Sequence, residues 1–161
     1  MSFMKVMIVM GSSSDWEVMK GAQEVLQQFE VSFEKNVVSA HRMADELQAF
    51  TQYCEKNEFD CIIAGAGGAA HLPGMLAAFS YLPVIGVPVK SSSLSGVDSL
   101  YSIVQMPKGV PVATVGINNS ENAALLALRM MSSRDEFIQR KLIDFAKNEK
   151  ERAQEMSAQL L

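Results

Sequence analysis

A doubly wound α/β domain on a five-stranded parallel sheet is the fold this sequence predicts, and three observations predict it. Five short runs rich in apolar residues alternate with segments whose apolar residues recur every three or four positions. The first run, Met4 to Met10, is nearly continuous in apolar residues, as a strand covered on both faces requires. Glycine- and serine-rich turns follow the first three runs, and in such sheets ligands sit at the carboxyl ends of the strands.

The first strand spans Met4 to Met10 and runs into Gly11-Ser12-Ser13-Ser14-Asp15. Val18, Met19, Ala22, Val25, Leu26 and Phe29 then keep helical spacing, and Ser14 with Glu17 predicts a capping box. Val31 to Val38 reads as the second strand, Ser39 to Arg42 as its turn, and Leu47, Phe50 and Cys54 as the next helical stripe. Asp60 to Ala64 is the third strand and opens into the stretch Ala64 to Gly74. The helix after it, about Ala69 to Tyr81, is apolar on almost every side and belongs to deep core or to a subunit contact. Val84 to Val87, ended by Pro88, is the fourth strand. Residues 90 to 99 are small and polar, as a mobile loop would be, and Leu100 to Gln105 is a short helix. Val110 to Ile117 is the fifth strand and Asn122 to Met131 the following helix. Residues 134–161 form a C-terminal helix whose charged end beyond Ala146 reads as a solvated face or as an arm reaching a neighbouring subunit in oligomer contacts, and residues 1–161 as a whole form a single domain.

Composition narrows the function. A chain of 161 residues is one domain with a real core, and 48% hydrophobic against 20% charged residues describes a globular protein. A net charge of −4 lacks the basic surplus of a nucleic-acid binder. Cys54 and Cys61 have no metal-type spacing and read as reduced, buried thiols, and with only His41 and His71 a histidine-rich zinc site is excluded. Val6 to Met10 is too short for a signal-peptide core, and no apolar window reaches the length of a membrane span, so a soluble, cytoplasmic protein is expected.

The turns carry the chemistry. Gly65, Gly67 and Gly68 fall within four positions, a cost accepted where positive φ or a close backbone approach is needed. Arg42, the neighbouring hydroxyls and a helix N-terminus suit a phosphate monoester. Asp15 would repel that phosphate, so its natural partners are sugar hydroxyls, and a ribose phosphate is the economical ligand. Taken singly, Asp15 reads as a helix-end charge, Arg42 as a surface ion pair and His71 as a structural residue. Their joint placement beside His41 favours a site, with His41 the better catalytic candidate, since imidazole moves protons near neutral pH. No serine or cysteine sits in a nucleophile elbow and no metal cluster is present, so the pocket suits proton transfer and positioning.

Four motifs then carry a resemblance. Met10-Gly11-Ser12-x-Ser14-Asp15, Ser39-Ala40-His41-Arg42, the stretch Ala64 to Gly74, and Gly96-x-Asp98-Ser-Leu-x-Ser-Ile-Val-Gln-Met-Pro107 resemble the 5-(carboxyamino)imidazole ribonucleotide mutase family of purine biosynthesis, in its bacterial form. The likeness continues through Gly109 to Thr114 and Asn122 to Leu126. It implies a three-layer, flavodoxin-like domain that needs no metal or organic cofactor and assembles as a homo-octamer. It implies that a carboxylate moves from the exocyclic nitrogen of the imidazole to carbon 4, by loss and recapture of carbon dioxide. It implies catalysis by His41 and His71, with His41 as the proton shuttle and His71 shaping the carboxylate pocket. Ser12, Asp15 and Arg42 would contact the substrate, Asp15 at the ribose and Arg42 at the phosphate. Ser14 and Ser39 would add phosphate contacts, and Gly67 and Gly68 leave room for carbon dioxide. Met43-Ala44 replaces the usual Thr-Pro after the His-Arg pair, and Gly116 to Glu121 is shorter than in some relatives. Two rivals remain: direct carboxylation of the free amine, and a non-catalytic nucleotide or flavin module, for which the turns offer only Trp16 as a stacking partner.

Overall fold

The computed structural model describes residues 3–160, so residues 1, 2 and 161 of the expected domain and arm lie outside the described residues. In chain order the elements are β1 (Lys5–Met10), α1 (Trp16–Gln28), β2 (Ser32–Val37), α2 (Leu47–Lys56), β3 (Cys61–Gly67), α3 (Leu72–Phe79), β4 (Val84–Val89), α4 (Val97–Val104), β5 (Ala113–Thr114), α5 (Ser120–Met131) and α6 (Glu136–Ala158). All strand pairs are parallel, in the order β2-β1-β3-β4-β5. The chain therefore reverses its direction of winding beside β1, which places a crevice at the carboxyl ends of β1 and β3.

Strand alternation sorts the side chains into two cores. Val6, Ile8, Ile63, Ile85 and Val87 meet Met19 and Leu26 of α1, Ala127 and Leu128 of α5 and Ile138 of α6. Met7, Val9, Ile62 and Ala64 point the other way, onto Leu47 and Phe50 of α2, Leu72 and Leu76 of α3 and Ile103 of α4. This is the three-layer, doubly wound sheet that the apolar runs predict. Each fully buried aliphatic side chain contributes about 1.5–3 kcal/mol from removal of its surface from water.

Several boundaries differ from the expectation, each for a physical reason. β3 continues to Gly67, so the first glycines of the turn are strand, and α3 spans only Leu72–Phe79. α3 buries Leu72 and Leu76, but Phe79 is exposed, so it is not covered on every side. Pro88 lies inside β4: the carbonyls of Gly86 and Pro88 accept from Val115 and Asn118, so its missing N–H faces the side where β5 has already ended. β5 keeps only two residues of the expected run: Pro111 within it lacks a donor, and left-handed backbone flanks it at Gly109, with φ of 100°, and at Asn118, with φ of 60°. Ser14 does not cap α1. Ser12 caps a 3-10 turn at Ser13–Asp15 instead, its Oγ accepting from the Ser14 N–H at 3.3 Å. Glu17 pairs with Lys20 at 2.6 Å.

Gly86 decides how closely α4 approaches the sheet. A Cβ there would collide with the Ile103 side chain and come within 3.1 Å of Val112 Cγ1. Without one, α4 lies directly on β4, and its first turn reaches the end of β3.

Candidate active site

Four turns converge on one cleft of about 530 Å³, a volume ordinary for a small-molecule site. They are the turns after β1 (Gly11, Ser12, Ser14, Asp15), after β2 (Ser39 to Arg42), at the end of β3 (Ala66 to Leu72) and at the end of β4 (Val89 to Ser92). Every residue expected at the site therefore lines the same cleft: Ser12, Ser14, Asp15, Ser39, His41, Arg42, Gly67, Gly68 and His71. Because the strands are parallel, all four turns leave the sheet at the same edge.

Local chemistry orients each group. The N–H of Gly11 donates to the carbonyl of Gly65 at 3.1 Å and fastens the first turn to β3. The Ser14 hydroxyl donates to Ser12 Oγ at 2.9 Å. Burial raises the Asp15 carboxyl above its ordinary 3.8, and a backbone hydrogen bond to Ser12 opposes that rise. Arg42 Nε donates to Ser39 Oγ at 3.1 Å, which holds the guanidinium over its own turn. Without a proline after Arg42, a 3-10 turn at Ala44–Glu46 leads into α2, and Met43 gives it no side-chain cap. His41 Nε2 and His71 Nδ1 are 2.8 Å apart, so the turns after β2 and β3 touch through their imidazoles.

Gly68 has a φ of 67° and nothing within 4 Å of the position a Cβ would take. Glycine is needed there for its backbone angle. Its N–H donates to Ser99 Oγ at 2.9 Å.

The wall from Val89 to Ser92 was not expected at the site. Lys90 brings a second cation to the cleft, and its N–H donates to Asn118 Oδ1 at 2.8 Å. Ser91 donates to Asp98 Oδ1 at 2.6 Å, and this bond holds the Asp98 carboxyl below its ordinary value. The same Ser91 Oγ accepts from the Gly96 N–H at 3.2 Å, so residues 91–98 form a braced loop. Its position straight after β4, on the edge that carries the other turns, is the signal that could have found it. Trp16 lies outside the cleft, with the Lys35 ammonium 4.3 Å from its ring centroid. Among the described residues, no three of His, Cys, Asp or Glu gather as a metal site, and no helix is long and apolar enough to cross a membrane.

Comparison with known proteins assigns the family. The model of the AIR carboxylase family matches residues 5–152. An N5-carboxyaminoimidazole ribonucleotide mutase of Pyrococcus abyssi is 57% identical over 86% of this chain and 79% of its own length. A phosphoribosylaminoimidazole carboxylase of Saccharomyces cerevisiae is also 57% identical, over 89% of this chain but 25% of that much longer protein. The crystal structure of Treponema denticola PurE superposes with a TM-score of 0.86 at 30% identity, covering 97% of this chain and 98% of that one. With matched sequence along nearly its whole length and the same doubly wound sheet beneath, the chain belongs to the AIR carboxylase family.

Proposed function

We propose that this protein isomerises 5-carboxyamino-1-(5-phosphoribosyl)imidazole to 5-amino-1-(5-phosphoribosyl)imidazole-4-carboxylate. The observation that carries this reading is the contact between His41 and His71 at the mouth of the glycine turn, in a cleft that also holds Asp15 and Arg42. Arg42, with Ser39 and Ser14, takes the phosphate; Asp15 accepts hydrogen bonds from the ribose hydroxyls, with Ser12 beside it. Those contacts place the imidazole ring against Gly67 and Gly68.

In the first step the bond between the exocyclic nitrogen and the carboxyl carbon breaks. Carbon dioxide departs, and the nitrogen takes a proton from His41. In the second, carbon 4 attacks the retained carbon dioxide, and His41 recovers the proton that carbon 4 gives up. The sum is an isomerisation with no net proton. Holding the gas within about 3–3.5 Å of carbon 4 replaces a bimolecular encounter with an intramolecular one. His71 shapes the pocket for the carboxylate, and the protons and contacts invoked here are all supplied by side chains and backbone.

Direct carboxylation of the free amine is the second reading, favoured by the name of the yeast relative. The Pyrococcus abyssi protein, of which this chain covers most, bears the mutase name and supports the first reading. Supplying the carbamate and the free amine separately decides between them: efficient turnover of the free amine at low bicarbonate rejects the mutase. We also propose that the whole chain acts as one cytoplasmic catalytic domain within a homo-octamer, as the resemblance implies. Tyr81, Tyr101 and Leu94 are 80%, 62% and 60% exposed and would gain cover there, with α6 adding contacts. Sedimentation at micromolar concentration checks the assembly.

A further inference from the structure

We infer that Ser99, on the first turn of α4, is a positioning residue that sets the height of the glycine turn over the substrate ring; the inference rests on the isomerase reading above.

Ser99 is 0% exposed, one of the few polar side chains in the interior. A hydroxyl removed from water needs partners for both its donor and its acceptor. Ser99 Oγ donates to the carbonyl of Val89 at 2.6 Å and accepts the N–H of Gly68 at 2.9 Å. Val89 ends β4 and Gly68 follows β3, so one hydroxyl ties together two walls of the cleft. Ser102, one turn further along α4, donates to the carbonyl of Asp98 at 2.8 Å and lies 3.4 Å from the carbonyl of Gly68.

A side chain at Gly68 would meet nothing within 4 Å, so side-chain packing does not fix this residue. The β3–β4 ladder ends at Gly67 and Val89, and beyond it the Gly68 carbonyl accepts from the Ala70 N–H at 2.9 Å while the Gly68 N–H has Ser99 Oγ as its acceptor. Ser99 stands behind the wall and meets no ligand, so it acts only through the backbone it holds. The phosphate and ribose contacts hang from the turns after β1 and β2, which Ser99 does not touch. Loss of its hydroxyl therefore lets the carbon dioxide end drift while the ribonucleotide end stays bound.

The test compares the full-length wild type with Ser99→Ala and Ser99→Cys, the latter filling nearly the same volume with a poorer hydrogen-bonding group. With the carbamate as substrate, kcat is expected to fall about 10- to 100-fold, the scale of an ångström-sized misplacement, while KM moves less than about threefold. Amide exchange at Gly68 is expected to speed up in both variants. Wild-type kcat in either variant, or a loss confined to KM, overturns the inference; should Ser99→Ala fail to fold, Ser99→Cys alone decides. A wild type that does not isomerise the carbamate refutes the functional reading instead, and Gly68 exchange then still reports whether Ser99 holds the turn.

Discussion

His41 Nε2 and His71 Nδ1 share one hydrogen bond of 2.8 Å, with the rings meeting edge on at 75° and their centroids 4.9 Å apart. One of these two nitrogens donates and the other accepts, so the tautomer of each ring constrains the other.

Replacing His41 with Asn is expected to lower kcat at least 100-fold, the usual scale of lost general acid–base catalysis, with substrate still bound. His71→Asn, which keeps a polar partner for His41, is expected to cost less. Steady-state kinetics on both variants across pH 6–9 check this; an unaltered His41→Asn enzyme removes the shuttle from the mechanism.

In the proposed site Asp15 would trade stability for binding. Its folded carboxyl holds a proton more tightly than the unfolded chain does, chiefly through burial. The stability it contributes is thus full below the ordinary value of 3.8 and is lost as pH rises through the folded value, so at neutral pH its charge is a net cost. Asp15→Asn is expected to raise Tm at pH 7 while weakening the ribose contacts by about 1.5–3 kcal/mol, roughly a 10- to 100-fold rise in KM. For the wild type, ribonucleotide affinity should begin to fall on acidification at a higher pH than an ordinary carboxylate predicts, which calorimetric titration checks.

Gly86→Ala tests the seat of α4. The added Cβ meets the β-branched Ile103 and lies 3.4 Å from Pro73 Cβ, so overpacking is expected to cost about 1–3 kcal/mol. At about 2–4 °C per kcal/mol for a chain of this size, thermal unfolding resolves it. Adding Ile103→Leu, which removes the branched methyl, is expected to recover part of the loss.

Cys54 and Cys61 are buried, and burial pushes both thiols up to about 12. Thiolate is the reactive form, so neither should be alkylated by iodoacetamide at pH 8 until the protein unfolds. Mass spectrometry with and without denaturant reads this directly.

What could be read from the sequence follows from which signals are local. A short, nearly continuous apolar run such as Met4 to Met10, ended by a glycine turn, reads as a doubly covered strand, and parallel strands leave their turns on one edge. That much places Gly11 to Asp15, Ser39 to Arg42 and the glycine turn together. The glycines themselves mislead: Gly65 lies within β3, where a side chain would strike the buried Met19, a collision that no local pattern reveals. Lys90 and Ser91 carry no periodicity, and their place in the cleft depends on bonds to Asn118 and Asp98 that only the folded chain forms. The truncation of β5 was half legible, since Gly109 and Pro111 stand in plain sight at its start.

The joins at Phe29–Val31, Asn57–Asp60 and Ser80–Pro83 all enter strands from the end opposite the cleft. Residues spliced into the first two of these joins would enlarge the molecule on its far rim and leave the chemistry alone, whereas the third carries Tyr81, which the proposed assembly covers. The same splice between Val89 and Gly96 would sever the serine bracing on which two walls rely. Here the protein is modular along one axis only: one rim is free to diversify, and the other is bound to its reaction.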